Sequence, residues 1–80
     1  MGYHKKDIPR GKYGHFSKIK EEFVELEDAW EQDDLVLQLC ELADLYGAIE
    51  QYVWRKFDME MEDIKKFSDK TKEAFKDGSR

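Results

Sequence analysis

The sequence predicts an all-α protein, an antiparallel bundle of three main helices per chain that is completed by oligomerisation. Three observations carry this reading. Apolar residues recur at spacings of three and four through the middle of the chain, the period of a helix with one buried stripe. The single proline, Pro9, and most of the five glycines lie near the ends, so little interrupts a helix across the centre. Charged residues make up 41% and apolar residues 40%. That balance suits long amphipathic helices and is too apolar for a disordered segment.

Eighty residues form one domain, 1–80, because typical domains span roughly 50 to 250 residues. Residues 1–13 read as an irregular basic segment, since Gly2, Pro9 and Gly11 punctuate it and Pro9 disfavours helix at Ile8. The first helix is expected over 17–31, with Ser17 as N-cap. Phe16, Ile19, Phe23, Leu26 and Trp30 form its inward stripe. Gln32, Asp33 and Asp34 make a short turn in which either aspartate can cap the next helix. The second helix is expected over 35–56, with a stripe of Leu35, Leu39, Leu42, Tyr46, Ile49, Val53 and Phe57. Val36, Leu37, Cys40, Ala43, Leu45, Ala48 and Trp54 make it apolar nearly all round, as a buried helix is. One short chain has too few other helices to cover it, which predicts a homodimer or homotetramer. Asp58 is expected to break the chain and cap a third helix reaching Lys76. Met61, Ile64, Phe67, Thr71, Ala74 and Phe75 would face inward there, and Gly78 would end it.

No apolar run approaches the ~20 residues that span a bilayer, and the polar start lacks a signal-peptide pattern. A cytoplasmic protein without membrane contact is therefore expected. Cys40 stands alone and reads as a small buried hydrophobe. His4 and His15 have no partner spacing and read as surface residues. Charge is unevenly spread: six Lys/Arg against one acid over 1–20, fifteen acids against two bases over 21–63, and six bases against three acids over 64–80. An acidic centre between basic ends can hold a metal and then the anionic groups around it. Nucleic acid is not an expected partner.

Two carboxylate pairs stand out. Glu22 and Glu25 are three apart, so they share one flank of the first helix. With the apolar stripe taken as inward, Glu22 lies about 80° round from it and Glu25 about 140°. Glu41 and Asp44 repeat the spacing inside an otherwise apolar helix, where an acidic pair needs a reason. Gly47, beside them, would let another element approach closely. Two carboxylates near 4 Å repel by about 4 kcal/mol at an effective dielectric of 20. Either some of them hold protons or a cation sits among them. Hard oxygen donors suit Mg²⁺, Mn²⁺ or Ca²⁺ rather than zinc. Glu27, Asp28 and Glu31 are assigned to solvent.

Glu21-Glu22-Phe23-Val24-Glu25, followed fifteen residues later by Glu41-Leu42-Ala43-Asp44, resembles the EExxE…ExxD signature of the MazG-like all-α nucleoside triphosphate pyrophosphohydrolases. That superfamily includes phosphoribosyl-ATP pyrophosphohydrolase and the dimeric dUTPases. KIKEEFVELEDA and LCELADLYGAI resemble its two motif helices. PRGKYGHFSKI and KTKEAFKDGSR are similar to the short single-domain members typical of bacteriophage genomes. The resemblance implies Mg²⁺-dependent, or Mn²⁺-dependent, cleavage of an NTP or dNTP to the monophosphate and pyrophosphate. By carry-over, Glu22, Glu25, Glu41 and Asp44 are metal ligands, and Glu21 orders water or a second ion as a catalytic residue. Lys18, one turn before Glu22, either reaches a phosphate or pairs with Glu22 or Glu25. Lys70, Lys72 and Arg80 would supply further phosphate contacts. A phage-encoded member would act in the host cytoplasm.

The chain lacks the second domain of larger members and has few residues for a base pocket. Trp30, Tyr46, Tyr52 and Trp54 could stack on a base, although aromatic residues at helical spacing read first as core, Tyr46 included. Two alternatives stand beside the leading one. One is a catalytically idle helical dimer with a binding or regulatory role, and the other is a phosphoribosyl-ATP pyrophosphohydrolase.

Overall fold

Local signals in the sequence set three helices. The computed structural model describes residues 4–76 and places α1 at Phe16–Glu31, α2 at Leu35–Phe57 and α3 at Met61–Lys76. No strand occurs among the described residues. The expected end at Gly78 lies outside them. None of the described helices is long and apolar enough to cross a membrane.

The caps explain the boundaries. His15, not Ser17, caps α1: its backbone is extended and its Nδ1 accepts the Ser17 N–H at 3.1 Å. Ser17 instead turns its Oγ to the Lys12 N–H at 2.9 Å, which folds the preceding segment back. Asp34 caps α2 as expected, accepting the Leu37 N–H at 3.0 Å. Asp58 closes α2 rather than opening α3. It adopts the left-handed conformation, φ 55°, and donates its N–H to Trp54 O at 3.0 Å, which a short polar side chain tolerates. Ahead of α3, the Glu60 N–H donates to Asp63 Oδ2 at 3.0 Å.

α1 and α2 carry the principal helix packing, and Phe16 meets the Tyr52 ring edge-on. Their shared seam inverts the usual distribution of polarity. The buried apolar residues are Ala29, Ala48 and Val53, whereas Glu21, Glu22, Asp28 and Glu41 are buried beside them. The stripe expected to face inward from α1 does so only in part: Ile19 and Leu26 are half-buried, whereas Phe16, Phe23 and Trp30 are exposed, Trp30 at 67%. α1 turns its carboxylate flank to α2 instead, so the inward direction is rotated from the apolar one. α2 likewise leaves Leu35, Val36, Leu39, Leu42, Tyr46, Trp54 and Phe57 exposed. Tyr46 and Cys40 are therefore not core residues of the single chain. Among the described residues, no other element comes within 4 Å of where a Cβ on Gly47 would lie. α3 buries no residue outright, and Phe67 and Phe75 are exposed. The Cα radius of gyration, 15.0 Å, exceeds the about 12 Å of a compact domain of this length. The chain is extended because most of its apolar surface has nothing to pack on.

Candidate metal centre

Helical spacing brings the two acidic pairs together across the α1–α2 seam. One oxygen each from Glu22, Glu41 and Asp44 lie within 4.8 Å of one another, and the same holds for Glu21, Glu22 and Glu25. Glu22 thus joins both sets. Glu22 is 5% exposed and Glu41 6%, while Glu25 is half-buried and Asp44 exposed at the rim.

Electrostatically the seam is unfinished. Among the described residues, Glu22 Oε1 and Glu41 Oε1 are buried without a hydrogen-bond partner. A buried acceptor left unmade costs free energy, more so when charged. Burial pushes the Glu22 carboxyl up to about 7, helped by the adjacent Glu25 carboxylate and opposed by Lys18. Of the two alternatives for Lys18, pairing is what the side chain does here: its Nζ lies 3.2 Å from Glu21 Oε2 and 3.3 Å from Glu22 Oε2. Burial lowers the Lys18 pKa, but these carboxylates outweigh it and hold the pKa above its ordinary value.

Glu21 is differently placed. Burial raises its pKa, yet the Gly11 N–H at 2.6 Å, Lys18 and Arg10 hold it below the usual carboxylate range. It is an ionised anchor for the N-terminal segment. That segment, although irregular as expected, lies along the seam. The Lys5 N–H donates to Asp28 Oδ2 at 3.1 Å, Lys6 pairs with Glu31 at 3.0 Å and Glu27 at 3.5 Å, and Gly11 reaches Glu21. Gly11 is required there, because a Cβ would overlap the Ser17 carbonyl.

Two residues assigned to solvent or surface belong to the site. Asp28 is buried and accepts from His4 Nδ1 at 2.9 Å, from Lys5 and from Gln32 Nε2 at 2.8 Å. Burial raises its pKa, but these donors outweigh it and keep the carboxyl below its ordinary range. His4 is inserted with Nε2 3.0 Å from Glu41 Oε2. Burial lowers the ring's pKa, and Asp28, Glu41 and Glu25 more than reverse that. No helical period links position 4 to the carboxylates. The only signal was the basic character of residues 1–20.

A cavity of ≈ 450 Å³ opens over the seam, lined by His4, Lys6, Arg10, Glu25, Glu41 and Asp44 among others. Lys72 lines a different cavity, with Tyr46, Met61 and Ile64, and Lys70 is exposed on α3. Neither lines the carboxylate cavity. Arg80 lies outside the described residues. Oxygen donors alone, two of them buried without partners, are the donor set that a hard divalent cation takes. The chain matches no family model, and no curated protein or solved structure shows significant similarity to it.

Proposed function

We propose that the chain is a Mg²⁺-dependent nucleoside triphosphate pyrophosphohydrolase of the MazG-like kind, with Mn²⁺ as a substitute cation. The observation that carries this is the convergence of Glu22, Glu41 and Asp44, with Glu25 beside Glu22, around orphaned buried oxygens. Glu22, Glu25, Glu41 and Asp44 hold the cation. When bound, Mg²⁺ supplies neutralisation of phosphate oxygens and a bound water of lowered pKa. The chain's residues do the rest. Lys6 and Arg10, on the cavity wall, receive triphosphate oxygens that project beyond the carboxylates. Lys18 compensates Glu21 and Glu22 at the inner end. Glu21, held ionised, orients water or a second ion next to Glu22. Water attacks phosphorus at the α–β anhydride linkage and gives up a proton to solvent, that P–O bond breaks, and the monophosphate and pyrophosphate leave.

The helices form an antiparallel bundle that a second copy completes, as a homodimer or homotetramer. What supports this is the exposure of Phe23 and Trp30 on α1 and of Leu35, Leu39, Leu42 and Tyr46 on α2. So many large exposed apolar residues on a short chain favour association.

The test is a panel of NTPs and dNTPs incubated with Mg²⁺ and scored for pyrophosphate. Release from at least one nucleotide is expected, falling by at least about 10²-fold in Glu41→Gln, the scale of losing a major electrostatic stabiliser. Turnover that survives Glu41→Gln overturns the site. No turnover on any nucleotide overturns the activity and leaves the idle binding dimer.

A further inference from the structure

The helices offer only oxygen donors, yet the N-terminal segment adds one nitrogen. His4 Nε2 lies 3.0 Å from Glu41 Oε2 and 4.0 Å from Glu25 Oε1. One ligand atom from each of His4, Glu25 and Glu41 falls within 4.8 Å of the others. The ring is also held from behind. Nδ1 lies 2.9 Å from Asp28 Oδ2, and that buried carboxylate is fixed in turn by the Lys5 N–H and the Gln32 amide. A carboxylate behind one ring nitrogen sets the tautomer and aims the other nitrogen at a metal. Among the described residues, Glu41 Oε1 is also buried without a hydrogen-bond partner.

We propose that His4, Glu25 and Glu41 form a mixed nitrogen–oxygen position for a first-row transition divalent cation, sharing Glu25 and Glu41 with the all-carboxylate position. Asp28 positions the imidazole. A nitrogen donor raises affinity for Co²⁺, Cu²⁺ or Zn²⁺ over Mg²⁺, because imidazole suits the later first-row ions and Mg²⁺ and Mn²⁺ favour oxygen. The N-terminal segment thereby decides which cation the seam retains. This rests on the carboxylate seam being a cation site, as proposed above.

The experiment is calorimetric titration of the full chain with Mg²⁺ and, separately, Co²⁺, comparing wild type, His4→Ala and Asp28→Asn. Thermal melts verify that each variant folds. His4→Ala is expected to lose at least about tenfold in Co²⁺ affinity, and Asp28→Asn about tenfold, with Mg²⁺ affinity held within about twofold. With Cu²⁺ bound, electron spin-echo modulation should report an imidazole nitrogen in wild type and in a His15→Ala control, but not in His4→Ala. Unchanged Co²⁺ affinity in His4→Ala, with Mg²⁺ binding intact, overturns this inference alone. An equal rise for both ions also overturns it, because the ring is then a counterion that metals displace. Binding of neither ion by wild type overturns the carboxylate seam as well.

Discussion

Glu22 carries the sharpest consequence of the geometry. Its folded pKa, about 7, stands above that of an exposed glutamate, about 4.3, so the folded state binds the extra proton. The stability this group contributes is fully present below about pH 4.3 and is lost as pH rises through about 7. In chelator, thermal melts should therefore show wild type losing ground to Glu22→Gln between pH 5 and pH 8. Mg²⁺ at pH 8 should reverse the order, because the cation compensates the carboxylate that glutamine lacks. Parallel melting curves across that range would count against a strained seam. The acidic pairs themselves were legible in the sequence, since three-residue spacing forces both members to one flank. Their partners were not. Asp28 looked like one more solvated acid, and His4 meets it across 24 positions, a separation that no local period encodes.

At the scale of elements, boundaries were readable and facing was not. Asp34 caps α2 where expected, because capping is a local hydrogen bond between a side chain and the first turn. Asp58 was misplaced because the same residue type serves either end of a helix: an Asn or Asp tolerates the left-handed conformation as well as the N-cap. The direction of α1 failed for a deeper reason. An amphipathic helix has one apolar stripe, but whether that stripe meets its own chain or another depends on what is available. Here α1 gives its acidic flank to α2 and its aromatic residues to solvent. The N-terminal segment is the second element-scale lesson: it is irregular, yet docked by backbone contacts to Asp28 and Glu21. Gly11→Ala should undock it, because the added methyl collides with the Ser17 carbonyl. A cost of about 1–3 kcal/mol is expected, with faster hydrogen exchange over residues 4–12. Unaltered exchange there would show that the segment is held elsewhere.

Among the described residues of the whole molecule, the buried apolar ones are Ala29, Ala48 and Val53, while Val36 is 73% exposed and Leu35 71%. A domain this short buries only about 60% of its unfolded surface at best, and this one leaves Phe23, Trp30, Tyr46 and Trp54 exposed. Sedimentation should therefore give at least twice the 9.6 kDa of one chain. Leu39→Glu, which sets a charge in the exposed apolar face, should shift the protein toward monomer and lower its melting temperature. A monomeric wild type of undiminished stability would contradict the assembly. That α2 is apolar nearly all round was legible in the sequence; which of its faces the single chain leaves uncovered was not.

The proposed chemistry turns on whether the carboxylate seam takes a cation. The most direct measurement is anomalous diffraction from crystals grown with Mn²⁺. The account predicts a peak between α1 and α2 with oxygens of Glu22, Glu25, Glu41 and Asp44 at about 2 Å. A map without density at the seam, or with Mn²⁺ held only by other residues, would contradict it.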